Sequence, residues 1–245
     1  MKRPTRALLL AAGLGTRLRP ATIHTPKCLV PIAGKPLLGL WLNTLQALGC
    51  KEVLINTHYL ADQVVDFVKN WQSKEMVIKI VYEPELLGTA GTLCRNLEFF
   101  EGSTGLLIHA DNVMLGKLDG LLQAHERSPD NCILTMLTFN TDKPESCGIV
   151  ETDSDGVLID FHEKIKNPPG NCANGALYVF DKSFCDFLYE FKPVPTDFST
   201  EVIPMLFGRI KTWHTHSAYL DIGTQEALDN AQKLFAVSQP SLFNI

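Results

Sequence analysis

Leu8-Leu9-Leu10-Ala11-Ala12-Gly13-Leu14-Gly15-Thr16-Arg17-Leu18-Arg19-Pro20 decides how this chain is read. An apolar run of strand length that breaks at two glycines opens a turn whose backbone N–H groups face outward with no Cβ in the way. Such a turn can cradle an anion, phosphate above all. Leu18 stands where a dinucleotide-binding G-x-G-x-x-G needs its third glycine, and no Walker A sequence occurs. Hydride transfer is therefore disfavoured. Beyond the glycines the chain turns cationic: Arg17 and Arg19 in the loop, then Lys27 in Thr25-Pro26-Lys27. Fixed cations beside a phosphate cradle suit a reaction in which negative charge builds on a transferred phosphoryl group.

Outward from this loop, apolar segments of strand length (7–12, 52–57, 77–82, 106–110, 132–139) alternate with segments whose apolar residues recur three and four apart (36–48, 60–71, 89–99, 118–127). The pattern predicts α/β architecture: a doubly wound, mostly parallel, Rossmann-like sheet covered by helices. From about Cys147 the texture changes to shorter strands (148–151, 156–163, 177–180, 211–216), a smaller mixed β subregion in the second half. Pro168-Pro169 keeps 166–171 out of helix and inner strand, because two adjacent prolines remove two backbone donors. With no linker or repeat, residues 1–245 read as one domain, its halves meeting near residue 146, with a last helix at 224–235 and a loosely held tail at 237–245.

The 245 residues are enough for a self-sufficient core, and 45% hydrophobic with 20% charged residues is the balance of a folded soluble chain. No run reaches the ~20 apolar residues of a membrane span. Basic residues before the first apolar run imitate a signal peptide, but the run is too short and leads into a glycine turn, so a cytoplasmic protein is expected. Twenty-two basic and 27 acidic residues, net −5, leave no basic stripe for nucleic acid. Seven scattered cysteines without a C-x-x-C pair argue against a disulfide framework or zinc site.

Gly13-Leu14-Gly15-Thr16-Arg17-Leu18-Arg19-Pro20, with Thr22 and Pro26-Lys27 behind it, resembles the signature of the sugar-1-phosphate nucleotidyltransferases, or nucleotide-sugar pyrophosphorylases. Leu87-Gly88-Thr89-Ala90-Gly91, Asp111, Glu163-Lys164, Asn174 and Asp221-Ile222-Gly223-Thr224 are similar to further motifs of that family, in its order, so the resemblance spans about residues 6–236. It implies transfer of a nucleotidyl group from a nucleoside triphosphate to a sugar 1-phosphate with release of pyrophosphate. It also implies a nucleotide-binding first half and a sugar-binding second half. The resemblance assigns Leu10, Ala11, Ala12, Gly13, Gly15, Thr16, Arg17, Gly88, Thr89 and Asp111 to the nucleotide, and Gly148, Glu163, Lys164 and Asn174 to the sugar phosphate. Arg17, Lys27, Asp111 and Asp221 are implied as catalytic.

The chemistry needs no general base, because a phosphate with a second pKa of ≈ 6 is already largely an anion at neutral pH. It needs a means of neutralising the departing pyrophosphate, and Mg²⁺ typically takes one or two carboxylates with phosphate oxygens and water. Asp111 ends an apolar strand, where ligand sites of parallel sheets lie. Asp221 sits in a second apolar context. The resemblance places both on the metal, while a turn or N-cap role is the alternative for each. Gly148 either allows close approach of the sugar or marks a bulge. Asn174-Gly175-Ala176 departs from the family's Asn-Ala-Gly.

Gly91 falls where thymidylyl- and uridylyltransferases of the family often carry Gln or His, which resembles the guanylyltransferases and points to GTP, with mannose 1-phosphate or a related acceptor. The alternatives are UTP or dTTP with the same chemistry, and a non-catalytic subunit that binds a nucleotide sugar. No C-terminal β-helix is expected, and assembly as a homo-oligomer is left open. His58 and His109 lie near the expected ligand edge without a role.

Overall fold

The computed structural model describes residues 4–71, 73 and 75–237. In chain order the strands are β1 (Thr5–Leu10), β2 (Pro31–Ile32), β3 (Lys35–Pro36), β4 (Glu52–Thr57), β5 (Val77–Tyr82), β6 (Thr104–His109), β7 (Asn112–Met114), β8 (Leu134–Asn140), β9 (Gly148–Thr152), β10 (Leu158–Glu163), β11 (Cys172–Phe180), β12 (Ile210–His214) and β13 (Tyr219–Asp221). The α-helices are α1 (Leu37–Ala47), α2 (Ala61–Asn70), α3 (Gly88–Arg95), α4 (Asp119–Glu126), α5 (Lys182–Glu190) and α6 (Gln225–Val237). The chain divides into two compact units interleaved in sequence: one takes residues up to 8, 87–108 and 117–217, the other 9–86, 109–116 and those from 218 on. Neither unit coincides with a half ending near residue 146.

In the unit that holds the glycine-rich loop, the strand order is β1-β4-β5, with β4 and β5 parallel from Glu52↔Val77 to Thr57↔Tyr82. Buried β-branched and leucine residues dominate β4, where Val53, Leu54 and Ile55 are at most 6% exposed. Helix α1 forms because Leu37, Leu38, Trp41, Leu42 and Leu45 supply a continuous apolar face at helical spacing, all of it buried. Two three-residue strands that no periodicity announces, β7 and β13, pair antiparallel as Tyr219↔Met114, Leu220↔Val113 and Asp221↔Asn112. Their apolar side chains join a cluster of Leu18, Val30, Ile32, Leu37, Leu40, Val113, Ile222, Leu228, Ala231 and Phe235.

In the other unit the order is β10-β9-β11-β6, with β8 on β11 and β12 parallel to β8; β11 runs antiparallel to β6, β8 and β9. Its core is aromatic: Phe180 packs on Phe100 and Phe184 with centroids 4.9 and 5.2 Å away, and Tyr178 on Phe198 at 4.5 Å. Strand β11 begins at Cys172, five residues before the expected start, because Asn174-Gly175-Ala176 is a bulge inside the strand; the register breaks between Asn174 and Tyr178. Helix α5 was not expected, and the helix foreseen at 89–99 ends at Arg95 before a 3₁₀ turn at Leu97–Phe100. The sheet is mixed, with helices against it, as the α/β reading anticipated. None of the seven cysteines, all among the described residues, is in a disulfide. No helix among the described residues is long and apolar enough to cross a membrane. The expected tail beyond residue 237 lies outside the described residues.

Candidate active site

Arg17, Asp111 and Asp221 are each carried by a nearby residue that the core holds. Leu18, beside Arg17, is buried in the apolar cluster of this unit, as are Val113, two residues after Asp111, and Ile222, next to Asp221. The Ile222 amide donates to the Asp111 carbonyl at 3.0 Å, and Trp41 Nε1 donates to the Asn112 carbonyl at 2.7 Å. The short β7–β13 pair therefore sets two carboxylates side by side that lie 110 residues apart in sequence.

Lys27, on the 3₁₀ turn Lys27–Leu29, reaches both. Its Nζ lies 2.5 Å from Asp111 Oδ2 and 3.8 Å from Asp221 Oδ1, and its side chain is 11% exposed against 33% and 52% for the two aspartates. Burial works to raise the Asp111 carboxyl, but the charges of Lys27 and His109 and the hydrogen bond from Lys27 outweigh it and hold Asp111 below the usual carboxylate range. Asp221 moves the other way: withdrawal from water and the negative charge of Asp111 push it up, against the pull of Lys27, Arg17 and His109. Arg17 completes the corner. A Cβ built on Gly223 would meet both Asp221 carboxylate oxygens at 3.3 Å and Arg17 Nη2 at 3.4 Å, so guanidinium and carboxylate border the same small space. The donor set fits a hard divalent ion: two carboxylates held side by side offer oxygen ligands in a corner that Lys27 and Arg17 also border.

The loop itself is shaped by Gly15, at φ 64°, where a Cβ would sit 3.0 Å from Thr22 Cγ2 and 3.3 Å from Lys27 Cβ. Only glycine meets both demands at low cost. Thr22, fully buried, donates from its hydroxyl to the Gly15 carbonyl at 2.7 Å. The amides of Gly13, Leu14 and Gly15 have no hydrogen-bond acceptor among the described residues, which is what an anion cradle requires.

The residues assigned to the sugar phosphate lie in the other unit. Glu163 and Gly148 face each other across β10 and β9, and Lys164 comes next at φ 51° with its Nζ 2.5 Å from Glu163 Oε1. A Cβ on Gly148 would strike the Phe161 ring at 2.3 Å and Glu163 Oε2 at 2.6 Å, so this glycine makes room for its own cross-strand neighbours. Asn174 is engaged at both ends of its amide: Oδ1 accepts from the Ala176 amide at 2.9 Å and Nδ2 donates to Tyr178 Oη at 2.7 Å. Ala176, the third residue of Asn174-Gly175-Ala176, has a left-handed backbone, at φ 50°.

Gly88 and Thr89 lie in this second unit as well, at the start of α3. Gly88, at φ 77°, admits the Thr196 carbonyl, which a Cβ would approach to 2.3 Å. Thr89 Oγ1 accepts from the Phe198 amide at 2.8 Å, tying that segment to the helix. Gly91 is buried, and a Cβ there would lie 3.3 Å from Leu87 Cβ and 3.6 Å from the Pro195 carbonyl. On the side where a Cβ would point, Gly91 is bordered by Leu87 and Pro195 of this chain. His214 ends β12 and His216 lies just beyond it, with ring centroids 5.3 Å apart. Sequence reasoning passed over Asn56 and Glu83, each 3% exposed. Their signal was a polar residue interrupting the apolar run Val53-Leu54-Ile55 and a carboxylate just after another.

The sequence and the fold have counterparts among known proteins. The chain is 32% identical over 206 residues to the mannose-1-phosphate guanylyltransferase catalytic subunit beta of Drosophila pseudoobscura pseudoobscura, covering 82% of this chain and 54% of that protein. It is 28% identical over 224 residues to the mannose-1-phosphate guanylyltransferase of Mycobacterium tuberculosis, covering 90% and 61%. The chain thus spans little more than half the length of these relatives. The fold matches the crystal structure of HddC from Yersinia pseudotuberculosis complexed with GMP-PN, with a TM-score of 0.79 and 24% identity over 94% of this chain and 99% of that one. The family described as "Nucleotidyl transferase" matches from residue 6 to residue 237. The chain belongs to the nucleotidyl transferase family.

Proposed function

We propose that the chain transfers a nucleotidyl group from a nucleoside triphosphate, GTP by preference, to a sugar 1-phosphate, mannose 1-phosphate or a related manno-configured acceptor, releasing pyrophosphate. The observation that carries this reading is Lys27 reaching two side-by-side aspartates beside Arg17, next to a loop of three amides without acceptors. The choice of GTP is supported by the guanylyltransferase names of the relatives and by the nucleotide analogue in the HddC complex, and not by the surroundings of Gly91.

The reaction forms one bond and breaks one. An oxygen of the sugar phosphate attacks the α-phosphorus, and the bond from that phosphorus to the β-phosphate bridge breaks, its electron pair leaving with pyrophosphate. The amides of Gly13, Leu14 and Gly15, with Thr16, hold the triphosphate. Leu10, Ala11, Ala12, Gly88 and Thr89 are the remaining nucleotide-binding residues of this reading. Arg17 stabilises the charge that grows on the transferring group, and Lys27 holds an α- or β-phosphate oxygen while keeping Asp111 ionised. A divalent ion, Mg²⁺ in this reading, would be held by Asp111 and Asp221 and would supply neutralisation of the leaving pyrophosphate. Glu163 accepts sugar hydroxyls, Lys164 contacts the sugar phosphate, and Gly148 and Asn174 shape that pocket.

Pyrophosphate release, measured with Mg²⁺ over a grid of GTP, UTP, dTTP, CTP and ATP against mannose, glucose, glucosamine and manno-heptose 1-phosphates, tests the reading. Release that requires both GTP and a manno-configured phosphate is expected. Release that proceeds without any sugar phosphate would overturn it.

A further inference from the structure

Two buried polar side chains stand at the carboxyl ends of β4 and β5, outside the phosphate corner but against the entry to its loop. Asn56 Oδ1 accepts the Ala11 amide at 2.7 Å, and Asn56 Nδ2 donates to Glu83 Oε1 at 3.1 Å. All three residues are buried. Glu83 is held from its backbone as well: its amide donates to the Thr57 carbonyl at 2.9 Å, and His58 Nδ1 lies 2.8 Å from its carbonyl. A carbonyl only accepts, so the His58 proton sits on Nδ1. A buried carboxylate with an amide donor on it is costly to rearrange, because either partner left alone is an unsatisfied buried polar group.

We propose that Asn56 is a positioning residue of the glycine-rich loop, its two ends fixed by Glu83 and the Ala11 amide, with His58 fixing Glu83 in turn. The Ala11 N–H is the last before the turn that this arrangement directs inward. By pinning it, the clamp sets the direction in which the chain leaves β1 and hence where the amides of Gly13 to Gly15 point. Asn56 touches no reacting atom in this scheme; it acts through the loop. The clamp rests on the nucleotidyl-transfer reading for its kinetic readout and on hydrogen exchange for a readout independent of that reading.

The directional hydrogen bonds supply the test. Asn56→Asp keeps an acceptor for Ala11 but sets a second carboxylate against Glu83, whereas adding Glu83→Gln returns a donor and restores the clamp with its direction reversed. Wild type, N56D, E83Q and the double variant are compared by steady-state pyrophosphate release and by hydrogen exchange of the segment 8–19. N56D is expected to lose on the order of 10–100-fold in kcat/KM for the nucleotide, with the KM for the sugar phosphate unchanged, and to exchange faster in 8–19 than in β4. The double variant is expected to recover most of both losses. A double variant no better than N56D, or an N56D indistinguishable from wild type, would overturn the proposal. So would exchange that speeds up equally throughout the unit with both KM values moving together, the mark of a purely structural role. Should N56D not fold, Glu83→Ala loosens the far end of Asn56 without adding charge: faster exchange confined to 8–19 supports the clamp, and unchanged exchange there refutes it. If wild type transfers no nucleotide in any pairing, the reaction assignment has failed and exchange alone decides the clamp.

Discussion

Lys27→Met removes the cation between Asp111 and Asp221 while keeping most of the side-chain volume. Breaking a fully buried ion pair by deleting one partner costs about 3–5 kcal/mol. Asp111 keeps a third of its exposure and Asp221 half, so water would relieve part of that loss. A destabilisation of about 2–3 kcal/mol at neutral pH is the result, which for a chain of this size lowers Tm by roughly 5–10 °C. Its pH dependence comes from the carboxyl that Lys27 depresses. In wild type the Asp111 contribution is present above the unfolded carboxylate pKa and is lost as pH falls through the lower folded value. In K27M that depression is gone, so the gap between the two proteins is widest at neutral pH and narrows as pH falls through the carboxylate range toward the lower folded value of Asp111. A divalent cation should also raise the Tm of K27M more than that of wild type, since it enters between two carboxylates that have lost their counter-ion. Thermal unfolding of both proteins at several pH values, with and without Mg²⁺, checks both statements. An equal Tm gap at acid and neutral pH, with no larger Mg²⁺ effect in the variant, would refute the electrostatic account of this corner.

Asp111→Asn and Asp221→Asn should each lower kcat by about 10²-fold or more while leaving far-ultraviolet circular dichroism unchanged, and full turnover in either would remove it from the chemistry. Arg17→Ala should lower kcat far more than it raises KM, as steady-state kinetics would show; a change in KM alone would mean that Arg17 binds only the ground state. Ala176→Gly relieves a left-handed backbone and should stabilise the fold by about 1 kcal/mol in chemical denaturation. Cys28, buried and with its thiol pushed up to about 12 by burial, should escape alkylation by iodoacetamide under native conditions, as intact-mass analysis of the labelled protein would show.

Where the sequence was most legible, a strong local pattern coincided with a strand of the sheet. The runs 52–57 and 77–82 are apolar and bounded by polar residues, and they are the observed bounds of β4 and β5. The loop from Gly13 to Pro20 was legible because glycines and cations at short spacing leave few conformations open. The pairing of Asp111 with Asp221 was legible only through family resemblance. Strands β7 and β13 are three residues each, too short to show alternation, and their register is fixed by the core beneath Val113 and Ile222. Asn174-Gly175-Ala176 fell outside the strand expected at 177–180, yet a bulge takes it into β11. The clamp of Asn56 and Glu83 was illegible for a related reason. Its two residues are 27 apart, and nothing local reports that parallel pairing brings them within hydrogen-bonding distance.

The most direct test is to follow GTP and mannose 1-phosphate by ³¹P nuclear magnetic resonance with wild type and with D111N in parallel. The account predicts that wild type forms the nucleotide sugar and pyrophosphate in equal amounts, only when both substrates are present, and that D111N forms almost none. Hydrolysis of GTP without a sugar nucleotide, or equal product from D111N, would contradict it.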